Sequence, residues 1–315
     1  MKKIFIICCC LWVATEVVAD SNVIKKSLIK PISSTQGGAE FYDFQSFSLS
    51  SIDQERHYRI TVATPQAPAP KHGYPVLYML DGNAVLPALT NEMFAALQGS
   101  DWPVIVTLSY EIDRQVARVY DYTPSPLNPS SAPDISQFTG RGRESMAEQR
   151  LATKSYGGAN YGGAELFWQF IEHRIKPNVA KRVQIDKERQ SLWGHSFGGL
   201  FVLHTLFNHP TSFKNYIAVD PSLWWQQGQI LTAESAFIHR EQRPVINLLV
   251  QSSASRREGS VLAEDSLRQL AKRLSTLPEL NVQYHDYFSH HHGSVRSASI
   301  PAALRMAQTN IKLTE

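Results

Sequence analysis

Gly194-His195-Ser196-Phe197-Gly198 constrains this chain more than any other stretch. It follows a short apolar run, Ser191-Leu192-Trp193, and precedes Gly199 and Leu200-Phe201-Val202-Leu203, which reads as the first turns of a helix. A G-x-S-x-G between a strand and a helix marks a sharp turn that presents a serine for nucleophilic attack. Such a turn strains the serine backbone, and small neighbours on both sides relieve the crowding. The helix that follows aims its first amides and its positive end at the place where acyl transfer builds an oxyanion. A serine that merely caps a helix would need no base, whereas this chain carries a late histidine-glycine pair, His292-Gly293.

Around that turn, strand and helix patterns alternate. Glu40–Leu49 and Arg56–Thr64 alternate apolar and polar residues and predict an antiparallel pair at a sheet edge. Pro75–Leu80, Trp102–Leu108, Gln190–Trp193, Tyr216–Val219 and Val245–Val250 are more continuously apolar, as strands buried on both faces are. Asn281–Phe288 alternates and suits the other edge. Between them, Ala84–Leu97, Ala164–Lys176, Gly199–Asn208, Ser260–Leu277 and Pro301–Thr309 carry helical patterns. The expected fold is α/β: a mainly parallel twisted sheet with antiparallel N-terminal strands and helices on both faces. Residues 20–315 are expected to form one domain, interrupted at about 121–159 by an irregular Pro- and Gly-rich rim or lid.

Residues 1–19 read as a secretory leader. Lys2 and Lys3 precede the apolar run Ile4–Val13, and Val17-Val18-Ala19 offers a cleavage site before Asp20. All three cysteines, Cys8, Cys9 and Cys10, lie inside it, so the mature chain is expected to have no disulfide, thiolate metal site or cysteine nucleophile. The expected location is the periplasm, with no integral membrane span in the mature chain. The net charge of +3 is modest, and no basic stripe or motif points to nucleic acid.

A serine hydroxyl is a weak nucleophile until a base takes its proton. The base belongs after the last strand, where Ser289-His290-His291-His292-Gly293 offers three histidines. The spacing does not choose among them, although Gly293 favours a turn presenting His292. For the acid, Glu258 after the Val245–Val250 strand and Asp220 after the strand before it are both geometric options. The oxyanion donors are expected to be the backbone amide of Phe197 and that of Asn83, behind Asp81-Gly82.

Several of these stretches, Gly194-His195-Ser196-Phe197-Gly198-Gly199-Leu200-Phe201, Val219-Asp220-Pro221-Ser222-Leu223-Trp224-Trp225 and His292-Gly293-Ser294-Val295, are similar to the enterochelin-esterase-like branch of the α/β hydrolases. Tyr78-Met79-Leu80-Asp81-Gly82 and Arg118-Val119-Tyr120-Asp121-Tyr122-Thr123-Pro124 fit the same branch. The resemblance runs from about residue 40 to the C-terminus. It implies an α/β-hydrolase fold, Ser196 as nucleophile, His292 as base, and Phe197 and Asn83 as oxyanion donors. Some relatives place a glutamate where Glu258 stands, while the periplasmic siderophore esterases are thought to use a Ser-His dyad. The implied substrate is a catechol-siderophore trilactone of the enterobactin or salmochelin type, iron-free or ferric, with no cofactor or metal and a monomeric enzyme. Trp224 or Trp225 would stack on a catechol ring, and Arg118, Arg256 or Arg257 would attract an anionic substrate. The alternatives are an exported carboxylesterase of other specificity and a non-catalytic siderophore binder using His290–His292.

Overall fold

Tyr74–Met79 and Val104–Tyr110 are mainly apolar, and every residue of both is buried. Strands of that kind need cover on both faces, which a parallel sheet between two helical layers provides. The computed structural model describes residues 38–97, 99, 101–111, 114–127, 161–254 and 265–308. These two segments lie inside one eight-stranded sheet. Its strands are β1 (Tyr42–Ser50), β2 (His57–Pro65), β3 (Tyr74–Met79), β4 (Val104–Tyr110), β5 (Ile185–His195), β6 (Asn215–Val219), β7 (Ile246–Ser253) and β8 (Leu280–Tyr287). The spatial order is β1-β2-β4-β3-β5-β6-β7-β8. β1, β2 and β4 pair antiparallel, and every pairing from β4 through β3 to β8 is parallel. The expected architecture, an antiparallel N-terminal edge on a mainly parallel sheet, is the observed one.

Side chains alternate across the sheet, so each central strand feeds two cores. Val76 and Tyr78 of β3, Leu192 of β5 and Ala218 of β6 face one cluster. Leu77 and Met79, Trp193, Ile217 and Val219 face the other. The first is closed by α3 (Arg114–Tyr122), α4 (Ala164–Phe170), α6 (Phe197–Asn208) and α7 (Ile230–Ile238). The second is closed by the segment after β3 and by α10 (Ile300–Gln308). The other helices are α1 (Gly82–Val85), α2 (Asn91–Ala95), α5 (Lys176–Ala180), α8 (Ser266–Leu274) and α9 (His292–Ala298). No helix among the described residues is long and apolar enough to cross a membrane.

One of the expected helices is divided by a proline, and another runs on past its expected end. The pattern over Ala84–Leu97 becomes α1, a 3-10 turn at Leu86–Ala88 and α2, because Pro87 has no N–H and crowds the turn before it. Thr90 restarts the helix by accepting the Met93 amide at 3.3 Å. The pattern over Ala164–Lys176 becomes α4 and a π-helical turn, Ile171–Ile175, and continues as α5, which holds Pro177 in its first turn. The expected irregular insertion begins later than residue 121. Asp121, Tyr122 and Thr123 are fully buried, the first two closing α3. The rest of that segment, 128–159, lies outside the described residues, as do the leader and its cysteines.

Candidate active site

Ser196 sits between the end of β5 and the first residue of α6, with φ 60° and ψ −118°. That left-handed backbone is costly for a non-glycine residue and is held by three bonds. Its amide donates to Val219 O at 2.9 Å, and its carbonyl accepts from the Leu200 amide at 2.9 Å and the Ser222 amide at 3.1 Å. The glycines act unequally. A Cβ on Gly194 would lie 2.3 Å from Gly198 O, and one on Gly199 would lie 2.9 Å from Val219 O. A Cβ on Gly198 would meet only ordinary contacts, the nearest at 3.5 Å from Leu80. The turn therefore depends on the first glycine of the motif and on the one after it.

His292 Nε2 lies 3.0 Å from Ser196 Oγ, and His292 Nδ1 lies 2.6 Å from Asp220 Oδ2. A carboxylate can only accept, so Nδ1 carries the proton and Nε2 is left to accept from the serine. Ser253 Oγ also donates to Asp220 Oδ2, at 2.6 Å. Burial tends to raise the Asp220 pKa, but hydrogen bonds from His292 and Ser253 outweigh it and hold the carboxyl below its usual range. Asp220 is thus ionised where it faces the histidine.

The carboxylate that meets His292 follows β6, for a topological reason. β6 pairs directly with β5, His195 opposite Val219, so residue 220 emerges beside residue 196. β7 is one strand further out and contributes Ser253, which steadies the carboxylate. Glu258, the candidate from the β7 end, lies outside the described residues. The histidine's partner is Asp220, the other option the spacing left open.

The three adjacent histidines have separate tasks. The His290 carbonyl accepts the Ala254 amide at 2.9 Å, tying the loop to the end of β7. His291 caps α9 as its Nδ1 accepts the Gly293 amide at 3.1 Å and the Ser294 amide at 3.3 Å. Only His292 reaches the serine. Gly293 does not make the expected turn. It lies inside α9, where a Cβ would come within 3.3 Å of the His291 capping ring. A binder built on His290–His292 does not fit this division.

His195, the second residue of the motif, holds the His292 main chain. Its Nε2–H donates to His292 O at 2.7 Å, and the two rings lie 4.6 Å apart. Burial, with the charges of His292 and Arg118, lowers its pKa to about 3. The ring is expected to stay neutral, its NMR signals not titrating from about pH 8 down to about pH 4. Titration near pH 6.5 would contradict this placement. Since the folded value is below the unfolded one, the unfolded chain takes up the extra proton first. The stability His195 contributes is complete above about pH 6.5 and is lost as pH falls towards about 3. His195, Asp220 and His292 are close enough together to hold a cation. His292 alone links Asp220 to Ser196, as a proton relay does, while His195 bonds to the His292 carbonyl.

Both expected oxyanion donors sit on first helical turns at the carboxyl ends of neighbouring strands, Phe197 on α6 and Asn83 on α1. First-turn amides have no acceptor within their own helix. The Asn83 side chain clasps the Tyr110 main chain, donating to its carbonyl at 2.9 Å and accepting its amide at 2.8 Å. Gly82 is required by β4, not by an approaching substrate, because a Cβ there would fall 2.4 Å from Ser109 Oγ and 2.9 Å from the Leu108 main chain.

The two tryptophans differ in burial. Trp225 is 1% exposed and Trp224 is partly exposed, and each meets the Phe197 ring edge-on at 5.5 Å. They lie on a tight turn, not an extended segment, with Gln226 and Gln227 in left-handed conformation. Arg118 does not stand at the rim as a free cation. It is bonded to Asp81 and to the His195 carbonyl. Arg256 and Arg257 lie outside the described residues.

A serine on a strained turn, relayed through a histidine to a held carboxylate, is the machinery of acyl transfer to water. On a mainly parallel sheet it defines a serine hydrolase of the α/β-hydrolase fold. The chain belongs to the esterase family ("Putative esterase"), whose model matches residues 51–296. It is 31% identical over 313 residues to the apo-salmochelin esterase of Escherichia coli O6:H1, a match covering 96% of this chain and 90% of that protein. It is 32% identical over 272 residues to the ferri-bacillibactin esterase BesA of Bacillus subtilis, covering 82% and 87%. The structure of the enterobactin hydrolase IroE in complex with DFP superposes with a TM-score of 0.62 at 29% identity, covering 85% of this chain and 96% of that one. The resemblance read from the motifs is borne out.

Proposed function

We propose that this protein hydrolyses the ester bonds of a catechol-siderophore trilactone in the periplasm. The observation that carries the reading is the Ser196–His292–Asp220 relay in a chain matched along most of its length by siderophore esterases. The basic and apolar leader over residues 1–19 supports export. Ser196 Oγ attacks a lactone carbonyl while His292 Nε2 takes its proton. The amides of Phe197 and Asn83 hold the oxyanion. His292 then returns the proton to the departing alkoxide, leaving a ring-opened acyl-enzyme whose far end carries the freed alcohol. Water, deprotonated by the same nitrogen, attacks the acyl-enzyme, and the products are a carboxylic acid and free Ser196. Asp220 stays ionised throughout and stabilises the imidazolium.

Incubating the purified protein with an enterobactin-like trilactone and with a simple aryl ester tests this. Ring-opened products from the trilactone support it. Turnover of the aryl ester alone would leave a carboxylesterase of other specificity. The partly exposed Trp224 gives a finer test. Stacking on a catechol ring contributes about 0.5–1.5 kcal/mol beyond area burial. Trp224→Ala is therefore expected to lower kcat/KM on the trilactone roughly 2- to 10-fold and to spare the small aryl ester. Equal losses on both would make Trp224 a support for the Phe197 ring and not a substrate contact.

A further inference from the structure

The two expected oxyanion amides lie on different strand-to-helix turns, and something must set the distance between them. The backbone ladder from β3 to β5 ends where the Leu80 amide donates to Trp193 O at 3.1 Å. Beyond it the strands part, each into its own helix. Arg118, from α3, bridges the gap. Its Nε donates to Asp81 Oδ1 at 2.6 Å, and its Nη2 donates to Asp81 Oδ2 at 2.9 Å and to His195 O at 3.2 Å. Asp81 is two residues before Asn83, and His195 is two residues before Phe197.

The bridge is stiff on every side. The Asp81 side chain is 3% exposed and that of Arg118 is 13% exposed. The Arg118 guanidinium lies over the Tyr122 and Phe197 rings at 5.4 and 5.7 Å. Asp81 itself is left-handed, at φ 56°, and its amide donates to Tyr122 OH at 3.1 Å instead of continuing the strand. A buried ion pair is weak evidence for stability, since well-packed neutral residues often serve as well. Its two-ended geometry therefore calls for another explanation.

We infer that Arg118 and Asp81 are positioning residues that lock the β3–α1 turn to the serine turn and so hold the two oxyanion amides in register. This rests on the proposed roles of Ser196, Phe197 and Asn83. Arg118 touches no reacting atom, and its charge is committed to Asp81, so it does not serve to capture an anionic substrate.

The test measures kcat and KM on a neutral aryl ester and on the trilactone, with thermal unfolding alongside. Asp81→Asn combined with Arg118→Met removes both charges together and leaves no buried ion unpaired. That variant is expected to fold, with kcat lowered about 100-fold on both substrates, as for a displaced oxyanion donor. KM should stay within about threefold, because the interaction lost acts in the transition state. Arg118→Lys keeps the charge but not the two-pronged geometry, and is expected to fall between the wild type and the double variant. It also decides the matter if the double variant does not fold. A folded variant with kcat within about threefold of wild type overturns the inference. So does a rise in KM confined to the trilactone in its anionic ferric form, which would make Arg118 a capture residue. Labelling of Ser196 by a phosphonate in the wild-type protein checks the serine assignment separately, so the two failures cannot be confused.

Discussion

Ser196→Ala is expected to remove ester turnover on the order of 10⁶-fold in kcat while the protein remains folded. Ser196 Oγ is the atom that His292 Nε2 faces at 3.0 Å. The helix behind it continues through Gly198 and Gly199 whether or not the hydroxyl is present. Residual rate over water would come from binding and the oxyanion amides alone. His292→Ala should cost about as much, and the double variant scarcely more, because nucleophile and base act as one unit. His290→Ala and His291→Ala should leave the chemistry largely intact. The second removes a helix cap, a loss of about 0.5–2 kcal/mol in stability. Steady-state turnover of an aryl ester by variants with native circular dichroism measures all five. Near-wild-type activity in Ser196→Ala would remove the assignment of the turn.

Asp220→Asn should lower kcat on the order of 10⁴-fold with little change in structure. The carboxylate now takes the Nδ1–H of His292 at 2.6 Å and so leaves Nε2 free to accept from Ser196. An asparagine amide turned to donate to Nδ1 would move the proton to Nε2 and remove the base. Ser253 Oγ, which steadies the carboxylate at 2.6 Å, cannot replace its charge. Glu258→Gln is expected to cost far less. If Asp220→Asn keeps kcat within about tenfold of wild type, the enzyme works as a Ser-His dyad and Asp220 is structural.

The acid shows where reading along the chain reaches its limit. Asp220 and Glu258 each follow a strand end, and sequence spacing carries no information about which strand lies beside β5. The pairing of β6 with β5 decides that. A usable signal was present nonetheless. Asp220 opens Asp220-Pro221-Ser222, and the Ser222 amide returns to the Ser196 carbonyl. The bonding of Arg118 is hidden for a related reason. A lone arginine in a run of mixed residues resembles a surface cation, and its partner Asp81 is 37 residues away. Neither the capping by His291 nor the support from His195 is visible before the loop is folded against β5 and α9.

Three helices, α3, α7 and α9, also escaped the pattern. α9 starts inside the histidine run, where no apolar periodicity announces it, and its cap is a histidine side chain. By contrast, short continuous apolar runs bounded by turn residues read as strands buried on both faces, so β3, β4, β6 and β7 were legible from their hydrophobicity and flanks. The serine turn was legible too, because Gly194 answers crowding against Gly198, four residues on, that any side chain would worsen. Local sterics and burial are properties of neighbouring residues, and the amino-acid order determines them directly. The acid, the working histidine and the Arg118 bridge depend on which strand ends stand side by side. Only the assembled sheet decides that, because it brings residues 81, 118, 195, 220 and 292 around Ser196.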